Sequence, residues 1–137
     1  MTGELKLEAM VDNLQKVMSF IEEELNAADC SARAKMQLDV AVEEIFVNIA
    51  SYAYGQETGM ATIRIKIMDD TNTAVITFID SGIPFNPLDK EDPDVTLKAE
   101  ERNIGGLGIY MTKKSMDDLS YEYKDGQNIL TITKRLQ

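Results

Sequence analysis

The sequence predicts an α+β fold, one mostly antiparallel sheet with helices packed on a single face. Three observations carry this. Two long stretches in the first half repeat their apolar residues at helical spacing. Two shorter stretches in the middle alternate apolar and polar residues. The C-terminal stretch reads as a hairpin around Asp125-Gly126. The resulting order is β-α-α-β-β-loop-α-β-β. The 137 residues are enough for one domain, 1–137, with a real core.

Residues 3–8 suit a short leading strand. From 10 to 27, Met10, Val11, Leu14, Val17, Met18, Ile21 and Leu25 recur at helical intervals, with Glu22–Glu24 on the wet side. Asp29 to Ser31 breaks the pattern, and Ser31 is placed to cap a second helix from Ala32 to Tyr54, which Gly55 stops. Ala61–Ile67 alternates as a strand, Asp69–Asn72 forms a turn, and Thr73–Asp80 is the next strand. Residues 81–104 hold all 3 prolines and many charges, so they read as a long loop with one helical turn; a loop of that length is usually functional or mobile. Gly106–Asp117 reads as a third helix. Leu119–Lys124 and Asn128–Lys134 close the chain as paired strands.

The second helix has an unusual pattern. At about 100° per residue, Leu38, Val42, Ile45 and Ile49 share one sector, while Val40 and Val47 fall nearly opposite. Two polar strips separate these faces, Asp39 and Glu43 on one, Gln37, Glu44, Asn48 and Ser51 on the other. A helix apolar on both sides is expected to be largely buried, and a carboxylate between two such faces needs a partner or a cleft. Glu44 and Asn48, four apart, project side by side. Their oxygens suit a magnesium shell that keeps waters and borrows phosphate oxygens. The competing reading is a solvated Glu44 and an Asn48 bonded to a nearby loop. Glu43, on the other strip, is expected to have no chemical role.

Asp80 ends a strand, Gly82 permits a positive-φ turn and Pro84 stiffens the residues after it. An Asp there suits an exocyclic amine such as that of adenine, although Asp-Ser-Gly is also ordinary turn chemistry. Gly105, Gly106 and Gly108 open the third helix, where free N–H groups and the helix dipole favour an anion. Met111 stands where a dinucleotide fingerprint needs its last glycine, and no Gly-Lys-Ser/Thr comes after, so neither the Rossmann nor the P-loop motif applies. Arg102 is placed to add a cationic contact to a phosphate. Close helix–sheet packing is the alternative reason for these glycines. The helical methionines at 10, 18, 36, 111 and 116 read as core filler, Lys113 and Lys114 as a solvated face, and Cys30 as an unactivated thiol in a turn.

Composition narrows the chemistry. A net charge of −10 argues against nucleic acid or an anionic membrane as a main partner. One Cys and no His remove disulfides, a Ser-His-Asp triad, a Cys-His pair and an HExxH zinc site, leaving proton transfer to carboxylate, Lys or Tyr. The absence of a signal-like start or a long apolar run leads to the expectation of a cytoplasmic protein.

Ala41–Ala50, Asp80–Pro87, Gly105–Tyr110 and Asn128–Leu136 together resemble, in order and spacing, the motifs of the GHKL ATPase superfamily, and within it the bacterial anti-sigma-factor serine kinases. The resemblance implies a two-layer α/β sandwich of the Bergerat type. It implies ATP and Mg²⁺ as cofactors, the metal held through Asn48, and Glu44 as general base. Adenine would be recognised through Asp80, with Gly82 beside it. The phosphates would be enclosed by Gly105, Gly106, Leu107 and Gly108 with Arg102, under a lid of roughly residues 86–104. It further implies that such a protein holds a sigma factor inactive and phosphorylates a serine on a STAS-class anti-anti-sigma protein, in a family where homodimers are common. The family often has a His shortly after the motif Asn; Ser51-Tyr52-Ala53-Tyr54 has none here. A non-catalytic ATP-binding module in a partner-switching pathway is the alternative function.

Overall fold

The computed structural model describes residues 2–89 and 107–137. Its sheet has five strands: β1 (Thr2–Glu8), β2 (Met60–Met68), β3 (Thr73–Asp80), β4 (Asp118–Lys124) and β5 (Gln127–Arg135). They lie in the order β1-β2-β3-β5-β4, and every neighbouring pair is antiparallel. Period-2 alternation sorts the side chains between two faces. Ile63, Ile65 and Ile67 of β2, Ala74, Ile76 and Phe78 of β3, and Leu130 and Ile132 of β5 are buried on one face. The residues between them, such as Arg64 and Lys66, turn the other way and are exposed.

The helices cover the apolar face. α1 (Leu14–Asn26), preceded by a 3₁₀ turn at Val11–Asn13, buries Val17, Ile21 and Leu25. α2 (Ala32–Asn48) buries Leu38, Val42, Ile45 and Phe46. α3 (Leu107–Ser115) packs on α2. Side chains in this cluster each contribute roughly 1.5–3 kcal/mol when fully buried, which is why the two apolar periodicities find each other. The layers are the predicted ones, sheet and helices with one shared core.

Local signals explain the element ends. The Ser31 hydroxyl accepts the Ala34 N–H at 3.1 Å, satisfying a free donor of the first turn of α2. Gly55, at φ 62°, stops the helical run as expected. Asp125 and Gly126, at φ 54° and 78°, make the tight β4–β5 turn. The third helix ends at Ser115, before Asp117. Asp117 is instead drawn to β5, donating its N–H to Thr133 and accepting the Arg135 N–H on Oδ2 at 2.6 Å.

Three expectations are corrected. The second helix is not buried on both sides: Val40 is 43% exposed and Val47 half-buried, because sheet and α3 cover other sectors. Met10, Met36 and Met111 are exposed and do not fill the core, whereas Met116 is buried and Met18 packs against it. The α-helical geometry stops at Asn48; Ile49–Ala53 continue as a π-helical turn, which shifts the following residues relative to a 3.6-residue wheel. Among the described residues, no helix is long and apolar enough to cross a membrane.

Candidate functional site

The pocket lies where the end of α2 meets the ends of β3 and β5. Ile45, Asn48, Ile49 and Ala53 line it from the helix side. Phe78, Asp80, Asn128 and Leu130 line it from the sheet, with Tyr121 of β4 beside them. Ile83, Phe85 and Pro87 close it from the turn after β3.

Asp80 is the last residue of β3, opposite Asn128 in the β3–β5 register. It is only 5% exposed. Its Oδ1 accepts the Gly82 N–H and an Asn128 Nδ2–H, both at 2.9 Å. Its Oδ2 accepts nothing from the described residues, and Asp80 lines the pocket. A buried acceptor with a free oxygen in an otherwise largely apolar cleft is a recognition element for a donor.

Gly82 is required for a reason other than the expected one. Its φ is not positive; instead, a Cβ there would stand 2.1 Å from the Ala53 carbonyl oxygen. The same carbonyl accepts the Ile83 N–H at 2.8 Å, which pins the turn against the π-helical end of the second helix. Tyr54 reinforces that junction, donating to the Met60 carbonyl and accepting the Ser81 N–H.

On the helix side, Glu44 and Asn48 do lie side by side. The Asn48 Nδ2 donates to the Glu44 backbone carbonyl at 2.8 Å and to Glu44 Oε1 at 3.3 Å. The amide nitrogen is thereby spoken for, and Asn48 Oδ1 accepts nothing from the described residues. Glu44 is half-buried, and its carboxylate rests on the start of α3: a Cβ on Gly108 would stand 2.2 Å from Glu44 Oε2. Thr112, buried one turn later, donates to the Gly108 carbonyl at 2.9 Å. Glu43 is exposed, as its strip predicted, and Ser51 is exposed too.

Asn48 and Asp80 thus meet at one pocket, with Glu44 bonded to Asn48 and Gly108 under Glu44. Leu107 is the first residue of α3. Arg102, Gly105 and Gly106 lie outside the described residues, as does most of the expected lid. The described beginning of that segment is folded in: Pro87–Asp89 form a 3₁₀ turn, Pro87 is buried and Leu88 packs on the core.

Two site residues escaped the sequence reading, Asn128 and Tyr121. The signal was present, because Asn128 falls in phase with Leu130 and Ile132 on the buried face of β5. A polar side chain in that register needs partners. Burial pushes the Tyr121 phenol above its ordinary pKa, so it keeps the proton that it donates to Asn128 Oδ1. Cys30 behaves as expected: burial raises its thiol, the opposite of activation.

Comparison with known proteins shows the family and the fold. The family described as Histidine kinase-like ATPase domain matches residues 7–134. The chain belongs to that family. Among its relatives, the serine-protein kinase RsbW of Listeria monocytogenes is 30% identical over 108 residues, covering 75% of this chain and 68% of RsbW. The serine/threonine-protein kinase BtrW of Bordetella bronchiseptica is 27% identical over 103 residues, 75% of this chain and 72% of BtrW. RsbW of Bacillus mycoides is 29% identical over 104 residues, but the chain spans only 63% of its length. Within the ATPase family the chain therefore stands with the bacterial serine-protein kinases. The solved RsbU and RsbW domains of Rv1364c from Mycobacterium tuberculosis superpose with a TM-score of 0.71 at 15% identity, over 99% of this chain and 32% of that one. The histidine kinase domain of the Erythrobacter litoralis EL346 blue-light activated kinase gives 0.57 at 16% identity, over 92% and 60%. These two likenesses concern the fold.

Proposed function

We propose that this chain is an ATP-dependent protein serine kinase that also holds a sigma factor inactive, and that its phosphoryl acceptor is a serine on a small STAS-class antagonist. The observation that carries the reading is a pair of oxygens on residues of one pocket, Asp80 Oδ2 and Asn48 Oδ1, that accept nothing among the described residues, next to a carboxylate bonded to Asn48.

The residues fit the ligands. Adenine has a planar apolar body and an exocyclic amine; the pocket has Ile45, Phe78 and Leu130 on its walls and, on Asp80, an acceptor with no partner among the described residues. Magnesium prefers hard oxygens and retains several waters, and Asn48 Oδ1 is a hard oxygen with no described partner. Bound Mg²⁺ would supply charge neutralisation at the phosphates. Glu44 would orient the serine hydroxyl and take its proton, the role open to a carboxylate in a chain without histidine. Gly108 and the start of α3 set where that carboxylate stands. The contacts read from sequence for Arg102, Gly105, Gly106 and Leu107 belong to the phosphate end of the same scheme. The named activity of the relatives, serine phosphorylation, supports the reaction class.

The test is calorimetric titration with Mg-ATP, followed by γ-phosphate transfer to a STAS-type partner. Asp80→Asn should weaken ATP and narrow its advantage over GTP, since an amide presents a donor where the base amine needs an acceptor. Wild-type protein that binds no ATP at millimolar nucleotide with Mg²⁺ present refutes the reading. ATP binding without transfer makes the chain a nucleotide-gated binding module.

A further inference from the structure

We propose that Asn128 is a positioning residue that sets the preference for a 6-amino purine, by holding Asp80 with one acceptor oxygen committed and the other presented to the base. The proposal rests on the nucleotide reading above and names the element that gives it base selectivity.

A carboxamide has two N–H donors and a carbonyl oxygen with two lone pairs. All four capacities of Asn128 are used. Nδ2 donates to Asp80 Oδ1 at 2.9 Å and to the Ile83 carbonyl at 2.8 Å. Oδ1 accepts the Phe85 N–H at 3.0 Å and the Tyr121 hydroxyl. Two of these partners are backbone groups of opposite kind, so exchanging the amide oxygen and nitrogen would break both bonds. One side chain therefore ties β3, β4, β5 and the turn after β3 at a single point.

The consequence falls on Asp80. Oδ1 receives two donors, from Asn128 and Gly82, which fix the plane of the carboxylate. Oδ2 accepts nothing from the described residues and is the remaining acceptor of a residue that lines the pocket. A donor arriving there meets an oxygen whose position is already set, so little ordering is lost on binding. Packing alone does not require an amide here, because the same face of β5 continues with Leu130 and Ile132. A buried polar hub is costly unless each of its bonds is made, and here each one is.

The experiment measures dissociation constants for ATP and for purine riboside triphosphate, which lacks the 6-amino group, together with Tm. Wild type should prefer ATP. Asn128→Ala should cut that preference by about tenfold, with purine riboside triphosphate affinity nearly unchanged. Asn128→Asp, which sets a carboxylate against Asp80 Oδ1 and the Ile83 carbonyl, should abolish the preference. Tyr121→Phe removes one of the four bonds and should reduce the preference by about two- to threefold. A residue that serves only the fold would weaken both triphosphates in parallel with the ATP preference intact, and that result overturns the proposal. If the Asn128 variants do not fold, Tyr121→Phe decides: an unchanged preference overturns it equally. Wild type that binds both triphosphates equally well defeats this proposal alone, whereas wild type that binds neither defeats the nucleotide reading with it.

Discussion

The two sides of the pocket are built on different principles. On the sheet side, Asp80, Asn128, Tyr121 and the turn after β3 are locked by a closed set of hydrogen bonds, several of them to backbone. On the helix side, the Asn48 amide donates to the Glu44 backbone carbonyl at 2.8 Å and touches the Glu44 carboxylate only at 3.3 Å, and that carboxylate rests over a glycine. Under the proposed function the first arrangement would recognise, its acceptor already in place before a ligand arrives, and the second would perform chemistry, its groups held loosely enough to take up new partners. Errors on the sheet side should therefore cost binding and stability, an error at Glu44 should cost turnover, and an error at Asn48, which lines the pocket, should cost both.

The largest effect that can break this comparison is at Glu44. Glu44→Ala should lower phosphoryl transfer by about 10²–10⁴, the usual contribution of a general base, while most ATP affinity remains. Parallel measurement of transfer and of ATP affinity decides it. An active Glu44→Ala would move the protein to the binding-module class, and an equal loss in both readouts would mean that the helix side also recognises.

Next come two glycines that face each other across the comparison. A Cβ at Gly82 meets backbone, the Ala53 carbonyl at 2.1 Å, so Gly82→Ala must move the turn or the π-helical end. It should destabilise by about 1–3 kcal/mol, with a matching fall in Tm. A Cβ at Gly108 meets the far end of a flexible side chain, the Glu44 carboxylate at 2.2 Å. Gly108→Ala should leave stability within about 0.5 kcal/mol yet reduce turnover, because Glu44 has to swing away. Thermal unfolding with a transfer assay separates the two. Equal Tm losses would show that the helix side is as rigid as the sheet side.

How much of this was legible in the sequence depends on the range of the forces involved. Strands and caps came from local patterns: the alternation of Ala61–Ile67, the Ser31 cap and the Asp125-Gly126 turn all act within a few residues. Glu44 and Asn48 were legible as a pair because an i,i+4 spacing is itself local. The role of Gly82 was not, since its obstacle is Ala53, a residue 29 positions earlier whose place depends on the π-helical turn. Val40 misled because an apolar residue on a helix face shows only that burial is permitted; which sectors are covered is decided by where the other elements pack. Asn128 was visible in principle, as a polar residue in phase with Leu130 and Ile132, but its four partners come from three separate segments.

Asn48→Ala tests the junction between the two sides, because Asn48 is only 8% exposed, lines the pocket and also contacts Glu44. Removing the amide deletes the Oδ1 that has no partner among the described residues, and the donor that steadies Glu44. ATP affinity in Mg²⁺ should fall by about tenfold and turnover should fall with it. Titration with and without Mg²⁺ is the measurement. If the loss is the same in both, Asn48 contributes packing and not a metal ligand.

The smallest expected effect sharpens the comparison most, because it separates neighbours in sequence by geometry alone. Glu43 and Glu44 are adjacent and chemically identical, but α2 turns by about 100° between them. Glu44 reaches Asn48 and the start of α3, whereas Glu43 is exposed on the strip that also carries Asp39. Burial raises the Asp39 carboxyl above its ordinary pKa, and Glu43 adds to that rise through its charge. Glu43→Ala should therefore change stability by no more than about 0.5 kcal/mol and leave ATP affinity and transfer untouched. Its one signature should be a slightly lower Asp39 pKa, since a neighbouring negative charge is gone; carboxyl titration by NMR reads this directly. Matching losses of transfer in Glu43→Ala and Glu44→Ala would mean that charge near the end of α2, and not the direction in which Glu44 projects, is what the site uses.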